Sequence, residues 1–173
     1  MSGKVLVTYA SKCGSTGEVA DAIGETLAAP EPGDEGAAVD VRLLKDVTDV
    51  SGYHAVVVGS AIRMGQWLPE ATRFVETHRD ALSRVPVAYF VVCMTLQEDT
   101  EEHRREAATY LDPARELVRP VDEGLFAGAM NYSKLFLPFR LVIKAMKVPE
   151  GDFRDWDVIR DWAAGVRPLL LGA

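Results

Sequence analysis

KVLVTYASKCGSTG, residues 4–17, passes from a run of apolar β-formers into a short loop of small and hydroxyl residues. Val5, Leu6, Val7 and Tyr9 carry the run, which stops at Ala10; Ser11, Lys12, Cys13, Gly14, Ser15 and Thr16 form the loop. The following EVADAIGETLAA places Val19, Ala20, Ile23 and Leu27 at helical spacing. The stretch therefore predicts a strand, a tight loop and a helix. A loop at a helix N-terminus suits an anion, because unpaired N–H groups point outward and the helix dipole favours negative charge. Hydroxyls at Ser11, Ser15 and Thr16 can add donors, and Gly14 lets the backbone come close. A phosphate pocket at residues 11–16 is expected.

Strand and helix signals alternate through the rest of the chain. APEPGDEGAA (29–38) is an acidic, Pro/Gly-rich surface loop and VDVRLL (39–44) a short strand. AVVVGS (55–60) and VPVAYFVVCM (85–94) are continuous apolar runs, as expected of strands buried on both faces of a parallel sheet. Helices are predicted over 68–82, with Pro69 in the first turn, over 100–118, capped by Asp99 or Thr100, and over 155–171. GLFAGAM (124–130) is the fifth strand. Five strands alternating with helices predict an α/β fold with a parallel sheet. Ligands of such sheets bind outside the carboxyl ends of the strands. This singles out the loop at 11–16, the segment after the third strand (Ser60, Ala61, Ile62, Arg63, Met64, Gly65) and the segment after the fourth (Cys93, Met94, Thr95, Leu96, Gln97).

Composition narrows the class. The 173 residues, 48% hydrophobic and 26% charged, suit one globular domain over residues 1–173. A net charge of −7 gives no general attraction to nucleic acid. No long apolar leader follows Met1 and no stretch reaches transmembrane length. Cys13 and Cys93 form no spaced metal motif, and a reducing cytoplasmic setting is expected. Four phosphate chemistries can be set aside. A low-molecular-weight phosphatase needs an Arg six positions after its cysteine, and Val19 stands there; a receiver domain needs an Asp where Gly59 and Ser60 stand. The nucleoside-triphosphate and dinucleotide glycine fingerprints are absent after the first strand. Cys13 reads as a loop filler rather than a nucleophile, because a bound phosphate would cancel the helix's stabilisation of a thiolate.

Three segments resemble one family. The loop Ser11–Thr16 resembles the flavodoxin phosphate loop, Ser/Thr-x-Thr-Gly-x-Thr, with Cys13 in place of the middle hydroxyl. VVVGSAIRMGQWLPEATRFVETH (56–78) resembles the Gly-Ala/Ser-x-Ile-Arg-x-Gly region of flavodoxin-type, quinone-dependent protoporphyrinogen oxidases. FAGAMNYSKLFLPFRLVIKAMK (126–147) is similar to the Phe-Ala-Gly-Ala stretch and basic-apolar insertion of the same family. The chain departs from it in passing quickly from Lys147 through VPEGDFRDW to the last helix. The resemblance implies a flavodoxin-like three-layer fold with strand order 2-1-3-4-5 and helices on both faces. It implies FMN, with its phosphate on residues 11–16 and its ring between residues 60–65 and 93–97. It also implies electron flow from protoporphyrinogen IX through FMN to a quinone, with Arg63 as a contact to the flavin or to substrate propionates. An NAD(P)H:quinone reductase and an electron-carrier flavodoxin without its own substrate are the alternatives.

Residues 125–149 contain no Asp or Glu, and Lys134, Arg140, Lys144 and Lys147 are interleaved there with large apolar residues. This insert, at about 131–150, reads as a peripheral contact (133–147) with the inner face of the cell membrane, a lid over the flavin, a homodimer face, or an ordinary helix packed on the core. A pure carrier should instead surround its flavin with acidic residues.

Overall fold

The computed structural model describes residues 3–11 and 14–172. Lys12 and Cys13 therefore lie outside the described residues. Five strands, β1 (Lys4–Ala10), β2 (Ala38–Leu43), β3 (Ala55–Arg63), β5 (Val87–Cys93) and β6 (Asp122–Ala127), form a parallel sheet in the order β2-β1-β3-β5-β6. The two-residue β4 (Gln66–Trp67) hairpins back on β3. This is the 2-1-3-4-5 order expected of the five long strands, with helices on both faces.

Side chains alternate across the sheet, so each strand supplies two cores. Val5, Val7, Val57, Ala88 and Phe90 face α1 (Ser15–Ala28) and α7 (Trp156–Leu171), packing on Val19, Ile23, Ile159, Ala163 and Val166. Leu6, Val56, Val58, Tyr89 and Val91 face α2 (Pro69–Thr77), α3 (Arg79–Leu82), α4 (Glu101–Thr109) and α5 (Asp112–Leu117). Every residue of β5 is buried, as its unbroken apolar run requires.

The structure corrects several boundaries. The helix expected over 68–82 breaks at His78, whose ring packs on Phe74 with centroids 4.6 Å apart. The helix expected over 100–118 divides at Tyr110 and Leu111, because Pro113 cannot continue the α4 hydrogen-bond ladder. Residues 60–65 are not a loop. Ala61–Arg63 extend β3, and Met64 and Gly65, with φ of 53° and 72°, make the two-residue turn into β4. Met94–Gln97 form a 3₁₀ turn. The fifth strand ends at Ala127. After Gly128, β7 (Ala129–Met130) pairs antiparallel with β8 (Gly151–Asp152), so residues 131–150 leave and return through one narrow ribbon.

Of the two caps predicted for α4, Thr100 is the one used: its hydroxyl accepts from the His103 N–H at 3.1 Å. Thr100→Ala is expected to cost about 1 kcal/mol, read as a lower urea midpoint with an unchanged denaturant slope.

Candidate functional site

Register brings the carboxyl ends of the central strands side by side. Ala10 pairs with Ser60, Ala61 with Val92, and Cys93 with Ala127. The loop after β1, the β3–β4 hairpin and the Met94–Gln97 turn therefore leave one edge of the sheet. The winding of the chain across the sheet reverses between β1 and β3, the crevice where open α/β sheets place ligands.

The first loop turns on Gly14, whose φ of 86° and ψ of −16° suit glycine. Its N–H donates to Ser11 Oγ at 2.9 Å, which closes the loop on itself. Among the described residues, a Cβ at Gly14 would meet nothing within 4 Å. Helix α1 starts at Ser15, three residues earlier than the sequence pattern suggested, so Ser15 and Thr16 sit in its first turn. Thr16 is fully buried, and its hydroxyl finds no hydrogen-bond partner among the described residues. Three other buried side-chain atoms share that condition, Thr8 Oγ1, Arg140 Nε and Trp162 Nε1, but only Thr16 of these stands at the start of the helix that follows β1. An unpartnered buried hydroxyl is costly, by about 1–3 kcal/mol, unless something fills its position.

Arg154, just after β8, reaches across to this helix. Its Nη1 donates to Glu18 Oε2 at 2.6 Å and to the Ser15 carbonyl at 3.3 Å, while Nη2 meets Asp152 at 2.7 Å. Its guanidinium lies 4.8 Å from the Trp156 ring centroid, and its side chain is 10% exposed. Hydrogen bonds to Asp152 hold its pKa above the ordinary arginine value and that of Asp152 below the usual carboxylate range. Arg154 lies 139 residues from Ser15, and no local motif announces it.

The other predicted residues divide in role. Ser60 is buried and satisfied, accepting from the Leu68 N–H at 3.1 Å and donating to the Ala61 carbonyl at 2.7 Å. It ties the hairpin to α2 and has no free donor. Ala61 and Ile62 are half-buried against the core. Arg63 is exposed, and its guanidinium sits 4.3 Å over the Phe139 ring of α6 (Leu137–Ala145), the helix of the insert. Met64 projects fully at the hairpin tip in a left-handed conformation that L side chains resist. Met94 and Thr95 are half-buried, Leu96 is buried and Gln97 is exposed. Thr95 Oγ1 is 3.0 Å from Tyr110 Oη, which donates to Glu106 at 2.9 Å. Cys93 is buried, and desolvation pushes its thiol up to about 11. At pH 8 about one thiol in a thousand would be ionised. In a Cys13→Ser background, the native protein is expected to resist iodoacetamide at pH 8 and to label fully once denatured.

A cleft of about 490 Å³ borders Ser11 on the β2 side of β1, between Tyr9, Leu44, Lys45, Arg73, Phe74 and His78. It adjoins the loop but lies away from the hairpin and the Met94–Gln97 turn.

Residues 6–157 match the family model described as flavodoxin domain. The chain belongs to the flavodoxin domain family. This flavodoxin domain is 27% identical over 187 residues to protoporphyrinogen IX dehydrogenase [quinone] of Leishmania major, covering 98% of the chain and 77% of that relative. It is 24% identical over 180 residues to the protein of the same name from Escherichia coli K12, covering 96% of each. Its backbone also matches a short-chain flavodoxin associated with a bacterial microcompartment, with a TM-score of 0.61 at 13% identity over 98% of this chain and 99% of that one. That likeness shows the fold.

Proposed function

We propose that this flavodoxin domain, one unit over residues 1–173, binds FMN and passes electrons from a reduced, protoporphyrinogen-like substrate to a quinone. The observation that carries the cofactor reading is the Thr16 hydroxyl. It is buried and has no partner among the described residues at the first turn of α1, beside the glycine turn. A phosphate oxygen there would meet Thr16, the Ser11 and Ser15 hydroxyls, the Gly14 region and the positive end of the helix. Lys12 and Cys13 would complete the loop. Ala61–Gly65 and Cys93–Gln97 would border the ring, with Ser60 holding the hairpin in place. When bound, the flavin supplies the redox chemistry; the protein supplies position and electrostatics. Arg63, exposed at the hairpin and steadied over Phe139, offers a bidentate partner for a substrate carboxylate. The names of the near-full-length relatives support the porphyrin substrate and the quinone acceptor.

Reconstitution followed by anaerobic assay tests the proposal. FMN uptake and quinone-dependent porphyrin fluorescence from protoporphyrinogen IX with a menaquinone analogue are expected. Failure to take up FMN would overturn the flavin reading. A loaded protein that oxidises NADH but not the porphyrinogen would replace the substrate reading with that of an NADH:quinone reductase, and one that does neither would be a carrier.

A further inference from the structure

The insert presents an apolar surface that the fold leaves uncovered. Helix α6 runs for nine residues, and none of its residues is buried. Phe139, Arg140 and Ile143 form its half-buried, inward stripe, with Phe139 under Arg63 and Arg140 Nη2 donating to the carbonyls of Ser133 and Leu135. The rest of its circumference faces outward. Leu137 and Leu141 are each 62% exposed and Val142 53%, with Phe136 before the helix at 75% and Met146 after it at 67%. These five account for most of the exposed large hydrophobic residues among the described residues. A contiguous patch of this kind marks an interaction surface.

Charge identifies what covers it. Lys134, Lys144 and Lys147 are exposed around the patch, and no acidic residue occurs from 125 to 149 in a chain whose net charge is −7. Lys144 Nζ is 5.4 Å from the Tyr132 ring centroid at the edge of the apolar arc. Apolar residues in the middle with lysines at the margin suit an anionic lipid surface: the apolar arc enters the headgroup boundary while the lysines pair with phosphates. A second copy fits less well. The helix is about 13 Å long and about 10 Å wide, and such a face buries far less than the roughly 800 Å² per partner of a stable protein interface. Among the described residues no helix is long and apolar enough to cross a membrane, so the contact would be peripheral.

We infer that α6 and its flanking residues dock this protein on an anionic membrane surface, with Phe136, Leu137, Leu141, Val142 and Met146 entering the lipid and Lys134, Lys144 and Lys147 at the headgroups. The inference rests on the insert alone and stands apart from the redox reading. Co-sedimentation of the full chain with phosphatidylcholine vesicles, with and without phosphatidylglycerol, tests it. Binding is expected to the anionic vesicles and to fall with added salt. Leu141→Ser with Met146→Ser should lower partitioning roughly tenfold or more, and each of Lys144→Gln and Lys147→Gln roughly fivefold. Circular dichroism and melting temperature confirm that the variants fold, which their exposed positions favour. Recovery that is nil, or the same for wild type and variants, overturns the inference. So does a concentration-dependent dimer abolished by the double substitution in a protein that ignores vesicles, which would assign the face to self-association.

Discussion

Thr16→Val is expected to weaken FMN binding roughly 10- to 100-fold while making the cofactor-free protein more stable. The two effects have opposite signs because one hydroxyl has two different surroundings. The Thr16 Oγ1 is buried and has no hydrogen-bond partner among the described residues, and replacing it with a methyl removes a desolvation cost of about 1 kcal/mol or more. That corresponds to about 2–4 °C in melting temperature for a domain of this size. With the phosphate bound, the same hydroxyl would donate to a charged oxygen, an interaction worth about 1.5–3 kcal/mol. Flavin fluorescence quenching measures the affinity, and riboflavin is the control because it lacks the phosphate. Equal loss for FMN and riboflavin, or unchanged FMN affinity, would remove Thr16 from the phosphate site. A Thr16→Ser variant keeps the donor and should retain most of the affinity.

The second large effect is on folding. Gly59→Ala is expected to cost about 3 kcal/mol, at the upper end of overpacking substitutions. A Cβ at Gly59 would fall 1.9 Å from Phe90 Cζ, with two more ring atoms within 2.3 Å. Phe90 is fully buried, and its ring lies 6.2 Å from that of Phe126, which packs edge-on against Trp162 at 5.5 Å. The ring cannot retreat without shifting this row. Chemical denaturation should show the loss as a lower midpoint. Combining Gly59→Ala with Phe90→Leu should restore part of the stability, and a double-mutant coupling of about 1 kcal/mol or more would assign the cost to this contact. Additive effects would place it elsewhere.

The parts of the fold legible in sequence are those whose signal is local and redundant. The buried runs at 55–60 and 87–93 have no polar face to mislead a reader, and the strand–loop–helix at 4–28 combines a period change with a glycine turn. The break between α4 and α5 was also encoded, in Pro113, but charged helical periodicity on both sides concealed it. The hairpin at 63–66 was harder. A Met-Gly turn with Met64 at positive φ runs against the usual preference for Asn or Asp before Gly, so the segment resembles a loop. Around the first loop, the turn at Ser11 and Gly14 and the helix start beside Thr16 were legible, because a strand that passes into a helix needs such residues there. The structural duties of Ser60 and Thr95 were not, since their partners Leu68 and Tyr110 are fixed only by packing. Arg154 is the extreme case. Nothing within its own neighbourhood hints at Glu18, which lies 136 residues away.

That arginine bridges two segments far apart in sequence. It holds the return strand of the insert with Asp152 and the first turn of α1 with Ser15 and Glu18. Ordering the loop end of α1 is then expected to steady the β7–β8 ribbon, and by reciprocity fixing the insert is expected to preorganise the loop. Saturating FMN is expected to slow tryptic cleavage after Lys144 and Lys147, several residues and one ribbon away from the phosphate. Arg154→Ala should abolish that protection while the cofactor still binds. The insert and the loop would then respond as a single cooperative unit, so that whatever loosens one also displaces the other.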